Sequence, residues 1–324
     1  MASLGDLVTI ANYSTIRNTA TSIMGTGAIT YGYGQPTFSP DKAAYDLVSQ
    51  ADWDLLKYDL VNALTHQSGA AGTITDIDEN QLISAAGANT YDDQGFIAAN
   101  NRFLVANGYY LTTTTDSNGN LIQQSRTWSG GTSWKTEISC ELTVTFPTSN
   151  DARYFFNSGG EIRIQSTRTA TTLNNSQNTA WTNLLNSAGT AAFKGQYYYY
   201  PPGFIGTQLT GPDFYNMTTS YQTFYTISSS SPYASNIYRL EAKCDVPNVN
   251  QGNAKIVTIR IRFIDGYNDP GLPAPGDAVD GTFTISVTEK RATGNILVPP
   301  GVSLPSTAFT ITRPTYSFGA IVGS

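Results

Sequence analysis

The first third of the chain carries apolar residues at the spacing of amphipathic helices. One stripe lies between a capping Thr9 and the pair Gly25 and Gly27, and comprises Ile10, Tyr13, Ile16, Ala20 and Ile23. A second follows the cap Ser49 with Asp52 in its first turn, ends at Gly69, and comprises Trp53, Leu56, Leu60 and Leu64. A third region begins near Asp78, contains Gly87 and Gly95, and includes Leu82, Ile83, Ala86, Tyr91, Phe96, Ile97 and Leu104. Together they predict a small helical module over residues 1–105, whose short stripes we expect to be partly buried against a neighbouring chain.

After Tyr109 apolar and polar residues alternate, which predicts strands with one buried face. The inward set of residues 136–146 is Ile138, Cys140, Leu142, Val144 and Phe146, and that of 255–265 is Val257, Ile259, Ile261 and Phe263. Similar runs occupy 160–168, 236–246, 281–290 and 307–314. One helix is predicted among them at 175–189, with Trp181, Leu184 and Leu185 as its packing residues. The predicted fold class is therefore α+β: a small helical N-terminal module, then a mainly antiparallel β-sandwich-like domain over 106–324 with one inserted helix.

Charge is scarce in this chain. Charged residues make up 13% of the 324 residues, about half the share in an ordinary soluble protein. The net charge of −6 argues against nucleic-acid binding, which needs clustered Lys and Arg. Arg153, Arg163 and Arg168 are close in sequence, but on predicted strands beside Asp151 and Glu161 they indicate local ion pairs. An uncharged surface rich in aromatic residues instead favours self-association.

The sequence predicts synthesis in the cytoplasm and no membrane insertion. Residues 1–24 have neither the basic start nor the apolar run of a secretory signal, and no stretch reaches the length of a membrane span. Cys140 and Cys244 each lie within a strand-like run, which favours buried thiols, with a disulfide as the open alternative. Proline- and glycine-rich stretches at 268–281 and 298–305 predict surface connections or contact arms.

Few residues are candidates for catalysis. His66, the single histidine, lies at the polar end of the second helix and has no Cys or second His at ligand spacing, so we expect it to be exposed or to cap the helix. The glycines of GTGAIT at 25–30 follow a helix and lack the third glycine of a dinucleotide site. Carboxylate pairs for glycoside hydrolysis stay possible, but no pair is singled out. The sequence therefore predicts that the protein is not an enzyme and binds no cofactor.

Three acidic stretches resemble calcium loops. Those that begin at Asp116 and Asp76 lack the glycine and the glutamate of an EF-hand, so a hairpin turn at Asn118–Gly119 and a helix cap explain them better. A third group could hold calcium, with ordinary turn chemistry as the alternative; it comprises Asp265, Asn268, Asp269, Asp277 and Asp280. We predict no metal site.

Two sets of apolar residues are candidates for an interface. In a strand, the four tyrosines at 197–200 would place Tyr198 and Tyr200 on one side, for contact with a protein or a sugar, although they could equally cover a sandwich strand. The second set is Trp53, Leu56 and Leu60 on the second helix.

Four segments carry a resemblance to a known family: ADWDLLKYDLVNALTHQSG, ENQLISAAGANTYD, ARYFFNSGGEIRIQSTRT and NNSQNTAWTNLLNSAGTAAF. They resemble virion structural proteins of T4-like phages that infect cyanobacteria. The matching positions are His66, Gln67, Gly69, Arg153, Phe155, Phe156, Asn157, Gly159, Gly160, Asn178, Thr179, Trp181, Leu184, Leu185 and Gly189. As packing, Phe155 and Phe156 would enter opposite faces at a strand end, Gly159 and Gly160 would allow a tight turn, and Trp181 with Leu184 and Leu185 would cover one sheet.

The resemblance implies a non-enzymatic structural component of the virion, a neck, tail, baseplate or fibre-type protein. Its expected partners are other copies of itself and other virion proteins, with neither nucleic acid nor membrane. The alternative is a receptor- or glycan-binding tip that uses the tyrosine-rich surface. A hydrolase that acts on host polysaccharide is the third hypothesis, disfavoured because no carboxylate pair stands out.

Overall fold

The computed structural model describes residues 9–26, 32–77, 85–129, 132–172, 175–195, 207–208, 213–248, 252–267, 278–301 and 308–323. The chain forms two compact units. The first, here the helical unit, comprises Met1–Leu111, Arg153–Gly160 and Arg291–Thr312; the second, the β unit, comprises Thr112–Ala152, Glu161–Lys290 and Arg313–Ser324. Two late segments thus belong to the helical unit, although the alternation of apolar residues places them in the β domain. The alternation of apolar residues indicates which face of a segment is buried, but it does not indicate which other segment packs against that face.

The helices of the described residues are α1 (Ile10–Met24), α2 (Gln50–Ser68), α3 (Ala85–Asn100), α4 (Ser149–Asn157) and α5 (Ser176–Ala188). The predicted caps are confirmed: the Thr9 backbone N donates to Asn12 Oδ1 at 2.9 Å, and the Ser49 backbone N donates to Asp52 Oδ2 at 2.7 Å. Gly69 ends α2 with a φ of 79°, a left-handed conformation that glycine adopts without strain. No helix in the described residues is long and apolar enough to cross a membrane.

The third helical region differs from its prediction at its C-terminal end. Helix α3 runs through both Gly87 and Gly95 without a break, but it ends at Asn100, before Leu104. Its predicted start near Asp78 lies outside the described residues.

The apolar stripes of α1, α2 and α3 pack against one another in the helical unit. Their core residues are Tyr13, Ile16, Ala20, Trp53, Leu56, Leu60, Ile77, Ala88 and Tyr91. The Trp53 ring centroid lies 5.3 Å from that of Tyr13 and 5.0 Å from that of Tyr91, both edge to face, an arrangement that aromatic quadrupoles favour. These core residues therefore bury each other, whereas Phe96 and Ile97 of the third stripe are exposed. The expectation that the stripes are partly buried against a neighbouring chain stays a prediction.

Two antiparallel sheets follow, as the sequence predicts. The strands are β1 (Tyr110–Thr113), β2 (Gln123–Trp128), β3 (Glu137–Thr145), β4 (Glu161–Thr169), β5 (Thr190–Lys194), β6 (Thr207–Gln208), β7 (Gln222–Ser228), β8 (Ile237–Cys244), β9 (Ile256–Ile264), β10 (Gly281–Asn295), β11 (Ala308–Thr310), β12 (Thr315–Phe318) and β13 (Val322–Gly323). One sheet has the order β12-β3-β9-β8-β7-β6, with β13 beside β3; the other has the order β1-β10-β4-β5, with β2 and β11 also beside β10.

The inner faces of the two sheets meet in the β unit, as in a sandwich. Phe263 of β9 and Phe283 of β10 have ring centroids 5.2 Å apart, and the hydroxyls of Ser166 and Tyr238 are 2.9 Å apart. The predicted alternation is confirmed on β9, whose inward set Val257, Ile259, Ile261 and Phe263 is fully buried. The fold class is therefore α+β, with N-terminal helices, two antiparallel sheets and inserted helices.

One predicted strand end is a helix. Phe155 and Phe156, and with them Arg153, lie on α4 rather than on a strand. The helix begins with a reciprocal cap, because Thr148 Oγ1 donates to Asp151 Oδ2 at 2.6 Å and accepts from the Asp151 backbone N at 3.1 Å. The T-x-x-D spacing of this cap is visible in the sequence.

The turn predicted after this pair is present. Gly159 has a φ of 84°, and the Gly160 backbone N donates to the Phe155 backbone O at 2.9 Å. The turn predicted at Asn118–Gly119 also exists, closed by a bridge between Thr115 and Leu121, but β1 and β2 both pair with β10 rather than with each other. The predicted turn thus connects two short antiparallel segments, which are also joined by hydrogen bonds from Asp116 N to Asn120 O and from Ile122 N to Thr114 O, each at 2.8 Å.

Helix α5 has the predicted position and a different packing. It lies against β4 of one sheet and β7 and β8 of the other, so it does not cover one sheet alone. Trp181 is fully buried, with its ring centroid 5.2 Å from that of Trp134 and 6.3 Å from that of Phe263. Leu184 is buried beside it.

Candidate interaction surface

The residues predicted to form an interface do not form an exposed one. Trp53, Leu56 and Leu60 are fully buried in the core of the helical unit, where they cannot meet a partner in the folded chain. Their helical spacing is explained by the packing of α2 against α1 and α3. Tyr198 and Tyr200 lie outside the described residues, so the contact with protein or sugar predicted for them stays a prediction.

An apolar groove lies on the opposite side of α2, in the helical unit. We call it the α2 groove; it has a volume of about 610 Å³ and is lined by Ala51, Asp54, Leu55, Lys57, Tyr58, Val61, Ala71, Asp76, Pro299 and Pro300. The Asn62 side chain holds the proline segment in position, because its amide accepts from the Leu297 backbone N at 2.8 Å and donates to the Leu297 backbone O at 3.2 Å. The lining charges Lys57 and Asp76 form an ion pair.

A second exposed feature is the turn over residues 42–47, which we call the Tyr45 turn. Tyr45 is fully exposed and Leu47 is 82% exposed, and Tyr45 has a φ of 75°. A bulky residue adopts this left-handed conformation rarely, at a cost of about 1–3 kcal/mol. The turn is nevertheless well held: the Ala43 backbone N donates to Asp46 Oδ2 at 2.7 Å, and Lys42 Nζ donates to the Leu47 backbone O at 3.1 Å.

His66 is buried rather than exposed, which corrects its prediction. It is 3% exposed, its Nε2 lies 3.0 Å from the Ser158 backbone O, and its ring meets the Tyr33 ring edge to face at 5.1 Å. The neighbouring Gln67 amide donates to the Tyr33 hydroxyl at 2.7 Å and to the Ala98 backbone O at 2.8 Å. His66 and Gln67 thus form a buried polar network that joins the end of α2 to Tyr33, Ala98 and Ser158 in the helical unit.

The helical unit also buries one carboxylate on uncharged donors. Asp59 is fully buried, and its oxygens accept from the backbone N atoms of Phe38 at 2.8 Å and of Ser39 at 3.0 Å. Burial raises the pKa of Asp59 above its ordinary value, although these hydrogen bonds oppose the shift. The carboxylate fixes the connector between α1 and α2.

In the β unit, buried carboxylates are held by cations instead. Glu161 on β4 accepts from Arg163 Nε at 2.6 Å and lies 3.4 Å from both Lys194 Nζ on β5 and Lys290 Nζ on β10. Burial acts to raise the pKa of Glu161, but the three cations outweigh it and hold the pKa below its ordinary value. The local ion pair predicted for Arg163 is confirmed. The carboxylate of its partner Glu161 also links the three adjacent strands β10, β4 and β5.

Arg168 has a distant partner rather than a local one. Its guanidinium donates to Asp280 Oδ1 at 3.1 Å and to the Asp280 backbone O at 2.6 Å, with both side chains almost fully buried. Asp280 also accepts from Thr171 Oγ1 at 2.6 Å and from the Asn178 amide at 3.0 Å. Burial lowers the pKa of Arg168 and the Asp280 charge opposes this shift. The pair joins β4, α5 and the start of β10.

On the solvent side of the seven-stranded sheet, charges are also paired. Arg262 Nε and one terminal nitrogen contact the two carboxylate oxygens of Glu137 at 2.7 and 2.6 Å, and Arg260 Nε donates to Glu241 at 2.8 Å. The Tyr221 ring centroid lies 4.0 Å from the Arg260 guanidinium carbon. Arg260 and Arg262 thus point outward as the alternation predicts.

The acidic stretches that resemble calcium loops have other uses where they are described. The Asp116 carboxylate accepts from the backbone N atoms of Asn118 at 2.8 Å and Asn120 at 2.9 Å, as in an ordinary turn, and Asp265 accepts from the Gln177 amide at 2.6 Å. Asn268, Asp269 and Asp277 lie outside the described residues. Among the described side chains, no three His, Cys, Asp or Glu converge as metal ligands do.

Sequence reasoning missed the Tyr45 turn and the α2 groove. The Tyr45 turn and the α2 groove depend on a single left-handed residue and on a proline segment about 240 residues away from α2. The only available signal was the prediction of a contact arm at 298–305, which contains Pro299 and Pro300. Models of known protein families, curated proteins and solved structures give no match to the chain.

Proposed function

We propose that the chain is a non-enzymatic structural component of a tailed-phage virion, of the neck, tail, baseplate or fibre type. It acts through self-association and contacts with other virion proteins. The family is suggested by the motifs around His66, Phe155 and Trp181, which carry the resemblance. Each of these motifs is used for packing: all three residues are buried.

One observation carries the non-enzymatic part of the proposal: the buried acids Glu161 and Asp280 of the β unit form ion pairs and hydrogen bonds that link neighbouring segments. A general acid in a glycosidase needs a raised pKa and access to a substrate. Glu161 has a lowered pKa and three cationic neighbours, and Asp280 has a buried guanidinium and neutral donors from Thr171, Thr172 and Asn178. Such groups strengthen a scaffold rather than transfer protons to a substrate.

The exposed features of the helical unit support a role in contacts. The α2 groove is mainly apolar, and the Tyr45 turn presents an aromatic and an aliphatic side chain to solvent. Tyrosine is enriched in the buried centres of protein interfaces because it combines apolar area with few rotatable bonds. The α2 groove and the Tyr45 turn therefore support a protein that acts through contacts with other proteins.

The experiment is to look for the chain in purified particles. Mass spectrometry of density-purified virions should detect it at a fixed copy number, and a density map of the intact particle should contain its two units. Purified protein should not shorten host polysaccharide. The proposal would be overturned if the chain were abundant in infected cells and missing from particles, or if it shortened glycans in a way that one Asp or Glu substitution abolished.

A further inference from the structure

We propose that two copies of this chain bind each other through α2, with the Tyr45 turn of each copy seated in the α2 groove of the other. The inference rests on the self-association proposed above and names the surface that would produce it. It assigns the exposed Tyr45 and Leu47 as the inserted side chains, and Leu55, Tyr58, Val61 and the two prolines as the receiving wall.

The two features match in chemistry. The groove is lined mostly by apolar side chains, and its volume of about 610 Å³ falls within the range of roughly 300–1,000 Å³ that is typical of binding pockets. The turn supplies apolar side chains that its own chain leaves in water, since Tyr45 is fully exposed. Neither feature is filled within the described part of one copy.

Charge does not oppose this contact. The Tyr45 turn contains Lys42 and Asp46 and is neutral overall. The groove lining has two acids, Asp54 and Asp76, against one Lys57, which leaves a net charge of −1. No strong like-charge repulsion therefore opposes the contact, and its strength should depend little on salt.

Position along α2 makes a two-fold exchange feasible. The turn leads directly into the cap Ser49, and the groove begins two residues later at Ala51. When two such helices are related by a two-fold axis, a turn beside one groove can enter the other, and the reverse contact follows from the symmetry. The assembly closes at two copies.

The strained turn is suited to this role. Asp46 and Lys42 hold it by hydrogen bonds to the backbone, and Lys42 Nζ also contacts Asp52 Oδ2 at 2.8 Å. A side chain that is already fixed in its bound conformation loses less entropy on binding. The left-handed Tyr45 is the kind of outlier that persists where the surrounding structure is built to keep it.

The test uses the full chain and sedimentation velocity over a concentration series. Tyr45→Gly removes the ring and relieves the left-handed strain, so the melting temperature should not fall while dimerisation weakens roughly tenfold or more, as for an interface anchor. Ala51→Trp blocks the groove at an exposed position and should weaken dimerisation similarly. Phe96→Ala, which removes another exposed aromatic of the same unit outside both features, is the matched control and should change nothing.

Mixing the two variants gives the decisive measurement. The Tyr45→Gly copy retains an open groove and the Ala51→Trp copy retains an intact turn, so the mixture should form a mixed dimer with one working contact although neither variant dimerises well alone. Dimers that persist unchanged in both variants, or a wild-type chain that stays monomeric, would overturn the inference. Incorporation into particles, measured separately, decides the proposed function independently of this result.

Discussion

The helical unit buries Asp59 on the backbone N–H groups of Phe38 and Ser39, whereas the β unit buries Glu161 among Arg163, Lys194 and Lys290. Burial raises the pKa of Asp59, while the cations around Glu161 outweigh burial and lower its pKa. The contributions of these two similarly buried acids to folding stability should therefore change with pH in opposite directions.

The difference follows from what each unit must join. In the helical unit a carboxylate fixes a connector whose backbone N–H groups have no helical partner, so neutral donors are sufficient. In the β unit Glu161 links three strands, and the long side chains of Lys and Arg can reach it from the adjacent strands. Among the described residues, the ion pairs of Glu161 and of Arg168 thus join segments of the β unit, while the helical unit holds the pair of Lys42 with the buried Asp52.

The largest effect should come from the aromatic cores. Trp181→Ala removes a fully buried ring from the β unit and should lower the free energy of unfolding by about 3–5 kcal/mol. Trp53→Ala is the matched change in the helical unit. Amide hydrogen exchange should quicken in β9 for the first variant and in α2 for the second. Unchanged exchange in β9 after Trp181→Ala would contradict the packing described for α5.

Breaking a buried ion pair should give the next largest loss of stability. Arg168→Met leaves Asp280 charged and buried, and we expect a loss of about 3 kcal/mol, at the low end for such pairs because Thr171 and Asn178 still donate to the carboxylate. Adding Asp280→Asn should restore part of the loss, since the uncompensated charge is then removed. Chemical denaturation of both variants measures this, and a double variant less stable than Arg168→Met would contradict the argument.

The comparison of the two acids can be tested by pH. The proton on Asp59 is favoured by folding, so its contribution is fully present below pH 3.8 and is lost as the pH rises through the raised native pKa. The contribution of Glu161 is present above pH 4.5 and is lost as the pH falls through the lowered native pKa. The advantage of wild type over Asp59→Asn should therefore grow in acid, and its advantage over Glu161→Gln should shrink. Slopes of the same sign would contradict the assignment.

Helix caps should give the smallest effects. Ser49→Ala removes the cap of α2 and Asn175→Ala that of α5, each worth about 1 kcal/mol. Asn175 also donates to the Ala278 backbone O at 3.0 Å, so its loss should be the larger of the two. Thermal unfolding of the two variants makes the comparison. Substitution to Asp at both positions, which keeps an acceptor for the helix, is the control.

Local features were predictable because local physics sets them. The caps Thr9 and Ser49, the alternation of β3 and β9, the helix α5 and the outward arginines all follow from spacing along one segment. Helix α4 differs from the predicted strand end because two adjacent phenylalanines fit either structure, and only the cap formed by Thr148 and Asp151 distinguishes them.

Tertiary features were not predictable in the same way. Arg168 pairs with Asp280, more than a hundred residues later, and no spacing rule points to that acid. His66 looked exposed because it is polar and near a helix end, but Tyr33 and Ser158 from distant segments cover it. The α2 groove needs Pro299 and Pro300 beside α2, which only the folded chain reveals.

The two natural cysteines have a practical consequence for labelling. Cys140 and Cys244 are free and buried, and burial raises the pKa of their thiols to about 11 and about 12. Because the thiolate is the reactive form, this raised pKa keeps both thiols in the unreactive protonated form near neutral pH. A maleimide dye should therefore leave wild type unlabelled and react with a cysteine introduced at an exposed position such as Tyr45→Cys, so spin labels and fluorophores can be placed without first removing the natural thiols.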